Sequence, residues 1–180
     1  VCGSEADQLS APHGAAFAAD GSRLYVADTG NRRIQVLGAD GALLDSLTSD
    51  MFQEPVAVAV GPDGALFVLD ALAQQVFRVD EDRAVAAVPL QTSFYRPRGL
   101  AVDELGNIVV ADTGGGRVVV LRPDGSPALE YGGQGSLLAR GQPVGVLAAP
   151  RALWAISAED GRLWNLSIDG SVTAVQPTGT

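Results

Sequence analysis

Apolar residues in this chain occur in short runs separated by tight-turn signals, and the pattern repeats about every 42 residues. Each unit opens with a proline, at Pro12, Pro55, Pro97 and Pro143, which gives spacings of 43, 42 and 46 residues. Within a unit, several strand-length segments alternate with glycine-containing turns. A period of roughly 40 to 50 residues with several strands per unit is typical of β-propeller blades and not of helical solenoids.

The first unit predicts four strands, at residues 14–19, 24–28, 33–37 and 43–47. Asp-Gly pairs lie between strands one and two and between strands three and four, because glycine adopts positive φ at little cost. Such pairs begin at Asp20, Asp40, Asp63, Asp124 and Asp169. Alternate turns lie on opposite edges of a blade. We call the edge with the Asp-Gly turns the turn face, and the edge with the strand two-to-three loops and the blade-to-blade crossings the loop face. No sustained 3.6-residue period is found, so no long helix is predicted.

The repeats divide the chain into one short segment and four blades. The predicted ranges are 1–11 for an N-terminal segment or tether, and 12–54, 55–96, 97–142 and 143–180 for blades 1 to 4 of one propeller domain. With 180 residues, the chain is long enough to bury one hydrophobic core.

The first and third units share a detailed motif. They contain Pro-x-Gly, the sequence Val-Ala-Asp-Thr-Gly at residues 26–30 and 110–114, and an Arg-led strand after it. These motifs resemble the NHL repeat. The second unit is a looser match and the fourth is degenerate, with Ser157 in place of the aspartate.

The resemblance implies an all-β propeller of four-stranded antiparallel blades, with four NHL-like repeats in this chain. Propellers of this family typically close with six blades. We therefore expect this chain to be part of a six-bladed ring, or an open arc, or an arc completed by a longer chain or a second subunit.

The resemblance also implies a function. Modules of this family serve in protein interaction, in ligand sensing or as extracytoplasmic domains, which favours a non-catalytic binding or scaffolding role through the loop face at the channel mouth. The alternative is a lyase or lactonase that uses a metal in the channel, with ligands missing from this chain. Whether the protein is an enzyme stays open, and its residues favour a non-catalytic role.

Asp28, Asp70 and Asp112 form an evenly spaced set of carboxylates, 42 residues apart. Each ends a predicted second strand and enters a loop, where a carboxylate accepts backbone N–H groups. We therefore interpret them as structural turn caps and not as metal ligands or catalytic acids.

Few residues could bind a metal. The middle residue of Pro-x-Gly lies at the predicted channel rim, and related propellers that are lyases carry zinc-binding histidines there. In this chain those residues are His13, Val56, Arg98 and Val144, and His13 is the sole histidine. A catalytic zinc needs three protein ligands, and the predicted inner strands carry no acid or amide for calcium. We predict no catalytic residue, no metal site and no cofactor.

Basic and aromatic residues of the loop face are the candidates for binding, since such residues dominate interaction hot spots. The candidate residues are His13, Arg32, Arg33, Phe94, Tyr95, Arg96, Arg98 and Arg117. The alternative interpretation is that the arginines are solvated loop charges and that Phe94 and Tyr95 fill a gap between blades.

The net charge of −9 disfavours nucleic acid as a partner. No apolar run approaches the ~20 residues of a membrane helix. We expect a protein or small-molecule partner whose identity is unknown. The compartment is not determined, although Cys2 before a small, acidic stretch is compatible with the end of a lipoprotein signal and so favours an extracytoplasmic bacterial location. We prefer to interpret Cys2 as a free thiol in a connecting segment.

Overall fold

The computed structural model describes residues 3–133, 135–149, 152–167 and 170–175. These residues form four antiparallel sheets of four strands, each in sequence order from one edge to the other. Blade 1 contains β1 (Ala15–Phe17), β2 (Arg23–Asp28), β3 (Arg33–Gly38) and β4 (Leu43–Thr48). Blade 2 contains β5 (Pro55–Val60), β6 (Leu66–Asp70), β7 (Gln75–Val79) and β8 (Val85–Ala87). Blade 3 contains β9 (Gly99–Val102), β10 (Ile108–Asp112), β11 (Arg117–Leu121) and β12 (Pro127–Gly132). Blade 4 contains β13 (Pro143–Ala149), β14 (Ala152–Ser157), β15 (Leu163–Leu166) and β16 (Val172–Val175). The predicted propeller of four-stranded blades is confirmed.

The Asp-Gly turns have the geometry that their sequence predicts. Gly21 and Gly125 have φ values of 71° and 81°. The preceding aspartates accept the backbone N–H two residues on, from Ser22 to Asp20 and from Ser126 to Asp124, each at 2.9 Å. A short side chain that bonds its own turn and a residue free to adopt positive φ are what a two-residue hairpin requires. Asp169 lies outside the described residues.

The blades pack in chain order through three apolar layers. Val58 and Phe77 lie in the layer between blades 1 and 2. Leu69 and Val110 lie between blades 2 and 3. The layer between blades 3 and 4 contains Trp164 with 1% of its surface exposed. Burying one large apolar side chain stabilises a fold by about 1.5–3 kcal/mol, so these layers hold the blades together.

The blades form an open arc. Packing between neighbouring blades involves mainly their first and second strands, so the sheets converge at the first strands and diverge towards the fourth. In the described part of the chain, no substantial packing joins blade 4 to blade 1. The two end blades therefore each have one sheet face without a neighbouring blade.

Two local features differ from the sequence-based prediction. The first strand of blade 1 is shorter than residues 14–19. A five-residue helix, α1 (Leu137–Gly141), lies in the crossing from blade 3 to blade 4. The Ser136 hydroxyl caps it by accepting the Ala139 N–H at 3.0 Å, and Leu138 is buried against blades 3 and 4. One helical turn gives no periodic signal, which explains why the sequence pattern did not indicate it. No described helix is long and apolar enough to span a membrane.

Candidate functional site

The loop face is built around buried carboxylates at the ends of the second strands. Asp28 is fully buried and accepts the Ser10 N–H at 2.6 Å, the Asn31 side-chain amide at 2.8 Å and Arg33 Nε at 2.7 Å. The crossing into blade 1 is therefore attached to the loop that follows β2. A buried carboxylate needs such partners, because leaving it unpaired would cost several kcal/mol.

Asp112 repeats this arrangement in blade 3. It is 1% exposed, accepts the Tyr95 N–H at 2.6 Å and pairs with Arg117 Nε at 2.8 Å. Asp70 in blade 2 is also fully buried, but its four partners are backbone groups. It accepts the N–H groups of Gln53, Glu54, Leu72 and Ala73 at 2.7–3.1 Å.

Threonine in the Asp-Thr-Gly motif joins neighbouring blades. Thr29 Oγ1 donates to the Pro55 carbonyl at 2.6 Å, and Thr113 Oγ1 donates to the Pro143 carbonyl at 2.7 Å. Each bond connects the loop of one blade to the leading proline of the next. The sequence analysis did not predict this role. The available signal was that the motif carries threonine in units one and three only.

Two candidate arginines are engaged within the protein. Arg33 Nη2 donates to the carbonyls of Glu5 and Gln8. Arg117 contacts Glu130 and the Ser93 carbonyl in addition to Asp112. Burial lowers the pKa of Arg117, but the hydrogen bonds and charges of Asp112 and Glu130 outweigh this and raise it. Both arginines therefore attach the incoming crossing to its blade and offer little free charge to a partner.

Phe94 also lies away from the surface. It is 3% exposed and belongs to the apolar layer between blades 2 and 3. Its position in a crossing predicted a surface residue, but the crossing folds inward there and the aromatic ring fills the layer. We therefore remove Phe94 from the candidate binding residues.

The neighbouring residues of that crossing are exposed. Tyr95 has 60% of its surface exposed and lies against the Asp112 loop, where its carbonyl accepts the Gly114 N–H at 2.9 Å. Arg96 and Arg98 are exposed, and their side chains make no hydrogen bond or ion pair in the described part of the chain. Arg96 has φ of 51°, an uncommon value for a residue with a side chain.

The other two candidates lie on blade 1. His13 is exposed, and its Nδ1 lies 3.0 Å from the Ala11 carbonyl and 2.9 Å from Thr29 Oγ1. Because the carbonyl can only accept, Nδ1 carries the hydrogen. Arg32 is exposed on the adjacent loop, with φ of 53°. The eight candidates thus separate into a blade 1 pair, a group of Tyr95, Arg96 and Arg98 in the crossing from blade 2 into blade 3, and three residues held within the fold.

The described residues contain no cluster of three or more histidine, cysteine, aspartate or glutamate side chains suited to a metal. Two grooves of the described structure lie elsewhere. One of about 750 Å³ opens between blades 3 and 4 and is lined by apolar residues that include Leu105, Leu129 and Leu153. Another of about 760 Å³ lies between blades 1 and 2, with Tyr25 and Arg83 in its lining. Both follow from the outward divergence of the sheets.

Comparisons with known proteins agree with the fold. The profile of the NHL repeat matches residues 94–121. No curated protein sequence matches the chain. Among solved structures, a catalytically inactive variant of virginiamycin B lyase from Staphylococcus aureus, with quinupristin, superposes with a TM-score of 0.76 at 16% identity over 93% of this chain and 56% of the lyase chain. A streptogramin B lyase gives 0.72 at 17% identity, over 94% of this chain and 55% of the other.

Hydrazine synthase from Kuenenia stuttgartiensis superposes on this chain with a TM-score of 0.72 at 19% identity, over 96% of this chain and 51% of the synthase chain. This chain therefore spans little more than half the length of these solved chains. At such low identity, the similarity concerns the fold alone. The described residues form four blades of a β-propeller, and residues 94–121 match the NHL repeat.

Proposed function

We propose that this propeller is a non-catalytic binding module that holds a carboxylate-bearing partner on the loop face of blade 3. Tyr95, Arg96 and Arg98 make the contact. An acidic segment of a protein and a small anion share the same carboxylate chemistry, which the planar guanidinium group bonds in pairs of hydrogen bonds.

The observation that carries this proposal is the contrast between arginines of the same face. Arg33 and Arg117 bind internal partners, whereas Arg96 and Arg98 are exposed and their side chains have no partner in the described residues. An arginine without an internal partner has all five N–H donors available.

The backbone supports the same conclusion. The Tyr95 N–H donates to Asp112, the Tyr95 carbonyl accepts from Gly114, and the Arg98 N–H donates to the Ala111 carbonyl. The exposed side chains are thus presented from a crossing that is anchored at both ends. A pre-positioned contact loses less conformational freedom on binding.

The net charge does not oppose such a local contact at physiological salt. Charges separated by more than about 8 Å are largely screened at this ionic strength. The nearby arginines therefore dominate over the acidic residues of the turn face. The lyase activity of the solved structures is not extended to this chain, since the likeness to them concerns the fold.

Binding of a fluorescent polyglutamate peptide and of citrate, measured at physiological salt, tests this proposal. The double substitution Arg96→Ala and Arg98→Ala is expected to weaken binding by about 1–3 kcal/mol with an unchanged Tm. Arg23→Ala, which removes an exposed arginine at the turn-face end of β2, is the matched control and should have little effect. A comparison of peptide binding with citrate binding distinguishes a protein segment from a small anion as the partner.

Two results would overturn the proposal. One is equal weakening by Arg23→Ala, which would mean that only net charge matters. The other is a double variant that loses stability while its folded fraction binds normally, which would assign these arginines to blade packing.

A further inference from the structure

The ring of Tyr95 lies against a glycine of the neighbouring loop. A methyl group on Gly114 would lie 2.5 Å from Cδ1 and 3.0 Å from Cε1 of this ring, so the ring can occupy this place only beside a residue without a side chain. The Tyr95 backbone bonds Asp112 and Gly114, which fixes the point where the side chain leaves the crossing. Because 60% of the residue is exposed, the ring is a positioned aromatic surface that a partner can reach.

The repeat does not require an aromatic residue at this position. In blade 3 the loop N–H of Gly114 donates to the Tyr95 carbonyl. The equivalent bond is accepted by the Ser10 carbonyl in blade 1 and by the Gly141 carbonyl in blade 4. The backbone connection therefore forms with a ring, with a hydroxymethyl group or with no side chain. The aromatic side chain is an addition of blade 3 that the construction of a blade does not explain.

The two arginines are also particular to this crossing. Arg96 precedes the leading proline of blade 3 and Arg98 follows it. The residues at the same two positions of the other blades are Ala11 and His13, Glu54 and Val56, and Gln142 and Val144. One aromatic ring and two guanidinium groups thus occur together in one crossing, where the Cα atoms of residues 95 and 98 are at most about 11 Å apart.

These side chains form a surface and not a pocket. The grooves between neighbouring blades do not include Tyr95, Arg96 or Arg98 in their described lining. A small molecule would leave most of its surface in water at such a place, because sites for small molecules are concave. An extended polymer that contacts several side chains in succession suits this surface better.

We propose that the loop face of blade 3 binds an acidic polysaccharide built of uronate sugars, an inference that rests on the proposed carboxylate-binding role of the same residues. The C–H groups of one pyranose ring pack on the exposed part of the Tyr95 ring, whose π electrons attract them. Arg96 and Arg98 bond the carboxylates of adjoining units in pairs of hydrogen bonds. A chain of rigid rings also loses little conformational freedom on binding.

The aromatic ring decides between two kinds of acidic polymer. An acidic peptide carries its carboxylates on flexible side chains and has no flat ring at each unit. Its contact with this surface would depend on Arg96 and Arg98 and hardly on Tyr95. A uronate polymer depends on all three residues, since each of its units offers both a carboxylate and a pyranose ring.

The test compares a fluorescent galacturonate oligosaccharide with the polyglutamate peptide at physiological salt. Tyr95→Ala should weaken binding of the oligosaccharide about tenfold and binding of the peptide less than about twofold. Tyr95→Phe keeps the ring and should bind the oligosaccharide within about twofold of the unsubstituted protein. Phe17→Ala removes a ring that is 59% exposed on blade 1, and this matched control should change neither affinity.

A second ligand tests the role of charge. The same oligosaccharide with its carboxylates methyl-esterified should bind at least about tenfold more weakly, because the arginines then meet no anion. Thermal unfolding of each variant accompanies these titrations, and an unchanged Tm is expected for Tyr95→Ala because its backbone bonds remain.

Four results would overturn the proposal. The first is oligosaccharide binding that Tyr95→Ala leaves unchanged. The second is weakened binding by Tyr95→Phe, which would assign the contact to the hydroxyl group. The third is binding of the peptide without binding of the oligosaccharide, which would leave the carboxylate-binding role intact. The fourth is binding of neither ligand, which would overturn that role as well.

Discussion

Blades 2 and 3 each bury a carboxylate at the same position of the repeat, and they stabilise it by different means. In blade 3, Asp112 pairs with Arg117 and accepts one backbone N–H group. In blade 2, the equivalent Asp70 accepts four backbone N–H groups, and Gln75 occupies the position of the arginine. The carboxylate is common to both blades, while its charge partner differs.

The difference indicates what the repeat requires. The aspartate organises the loop and the incoming crossing by accepting backbone donors, which the crossing supplies in every case. The arginine is one of two ways to complete its hydrogen bonding. The connection to the next blade varies in the same manner, since Thr113 bonds the Pro143 carbonyl and Ala71 has no hydroxyl for such a bond. Blade 2 therefore depends on more backbone bonds and fewer side-chain bonds than blade 3.

The largest expected effect is the loss of stability when either carboxylate is removed, and it should differ between the two blades. Asp70→Ala should lower the free energy of unfolding by about 3 kcal/mol or more, because it leaves four backbone donors without their acceptor. Asp112→Ala should cost less, about 2 kcal/mol, because Arg117 keeps its contacts with Glu130 and Ser93. Urea unfolding measures both. A greater loss for Asp112→Ala would mean that the arginine pair dominates.

Exchanging the residue that differs between the blades sharpens the comparison. Arg117→Gln should lower the free energy of unfolding by about 1–2 kcal/mol, since a partly buried ion pair and the bond to Ser93 are lost. Gln75→Arg should change the free energy of unfolding by less than about 0.5 kcal/mol, because Asp70 already accepts four hydrogen bonds. A clear stabilisation by Gln75→Arg would show that backbone donors do not satisfy this carboxylate.

The threonine bond between blades gives a smaller effect. Thr113→Val removes one hydroxyl bond and should cost about 1 kcal/mol. The reverse change, Ala71→Thr, should add a bond to the Pro97 carbonyl and stabilise the protein by up to about 1 kcal/mol. Thermal unfolding of both variants is the measurement, and a neutral Thr113→Val would mean that blade packing alone holds the contact.

The smallest effect concerns the turn face. The Ser22 N–H and hydroxyl lower the pKa of Asp20 below its ordinary value of 3.8, whereas in blade 2 the hydrogen bond from Arg78 lowers the pKa of Asp63. A carboxyl with a lowered pKa stabilises the fold above its ordinary pKa, and this contribution disappears as the pH falls through the folded-state pKa. Ser22→Ala should therefore raise the pKa of Asp20 and slightly reduce stability at about pH 4 and above.

NMR titration of the Asp20 carboxyl resonance measures the shift directly. Asp63, whose turn has Ala65 at the position of Ser22, serves as an internal reference in the same spectra. An unchanged Asp20 titration in the variant would assign the lowered pKa to the backbone of the turn.

The sequence by itself determined the architecture of this protein. The repeat period, the Asp-Gly turns and the strand-ending aspartates predicted four-stranded blades, because each depends on local backbone conformation and on contacts within one unit. The role of the motif threonine escaped prediction, since its partner is a carbonyl group some 30 residues away in the next blade.

Only the tertiary structure decided which candidate residues are available to a partner. Arg33, Arg117, Arg96 and Arg98 look alike in the sequence, but the path of the incoming crossing engages the first two and leaves the last two exposed. The same path buries Phe94 and exposes Tyr95. The exposed face of blade 4 was equally unpredictable, because burial of a strand that is apolar on both faces depends on which sheets lie beside it.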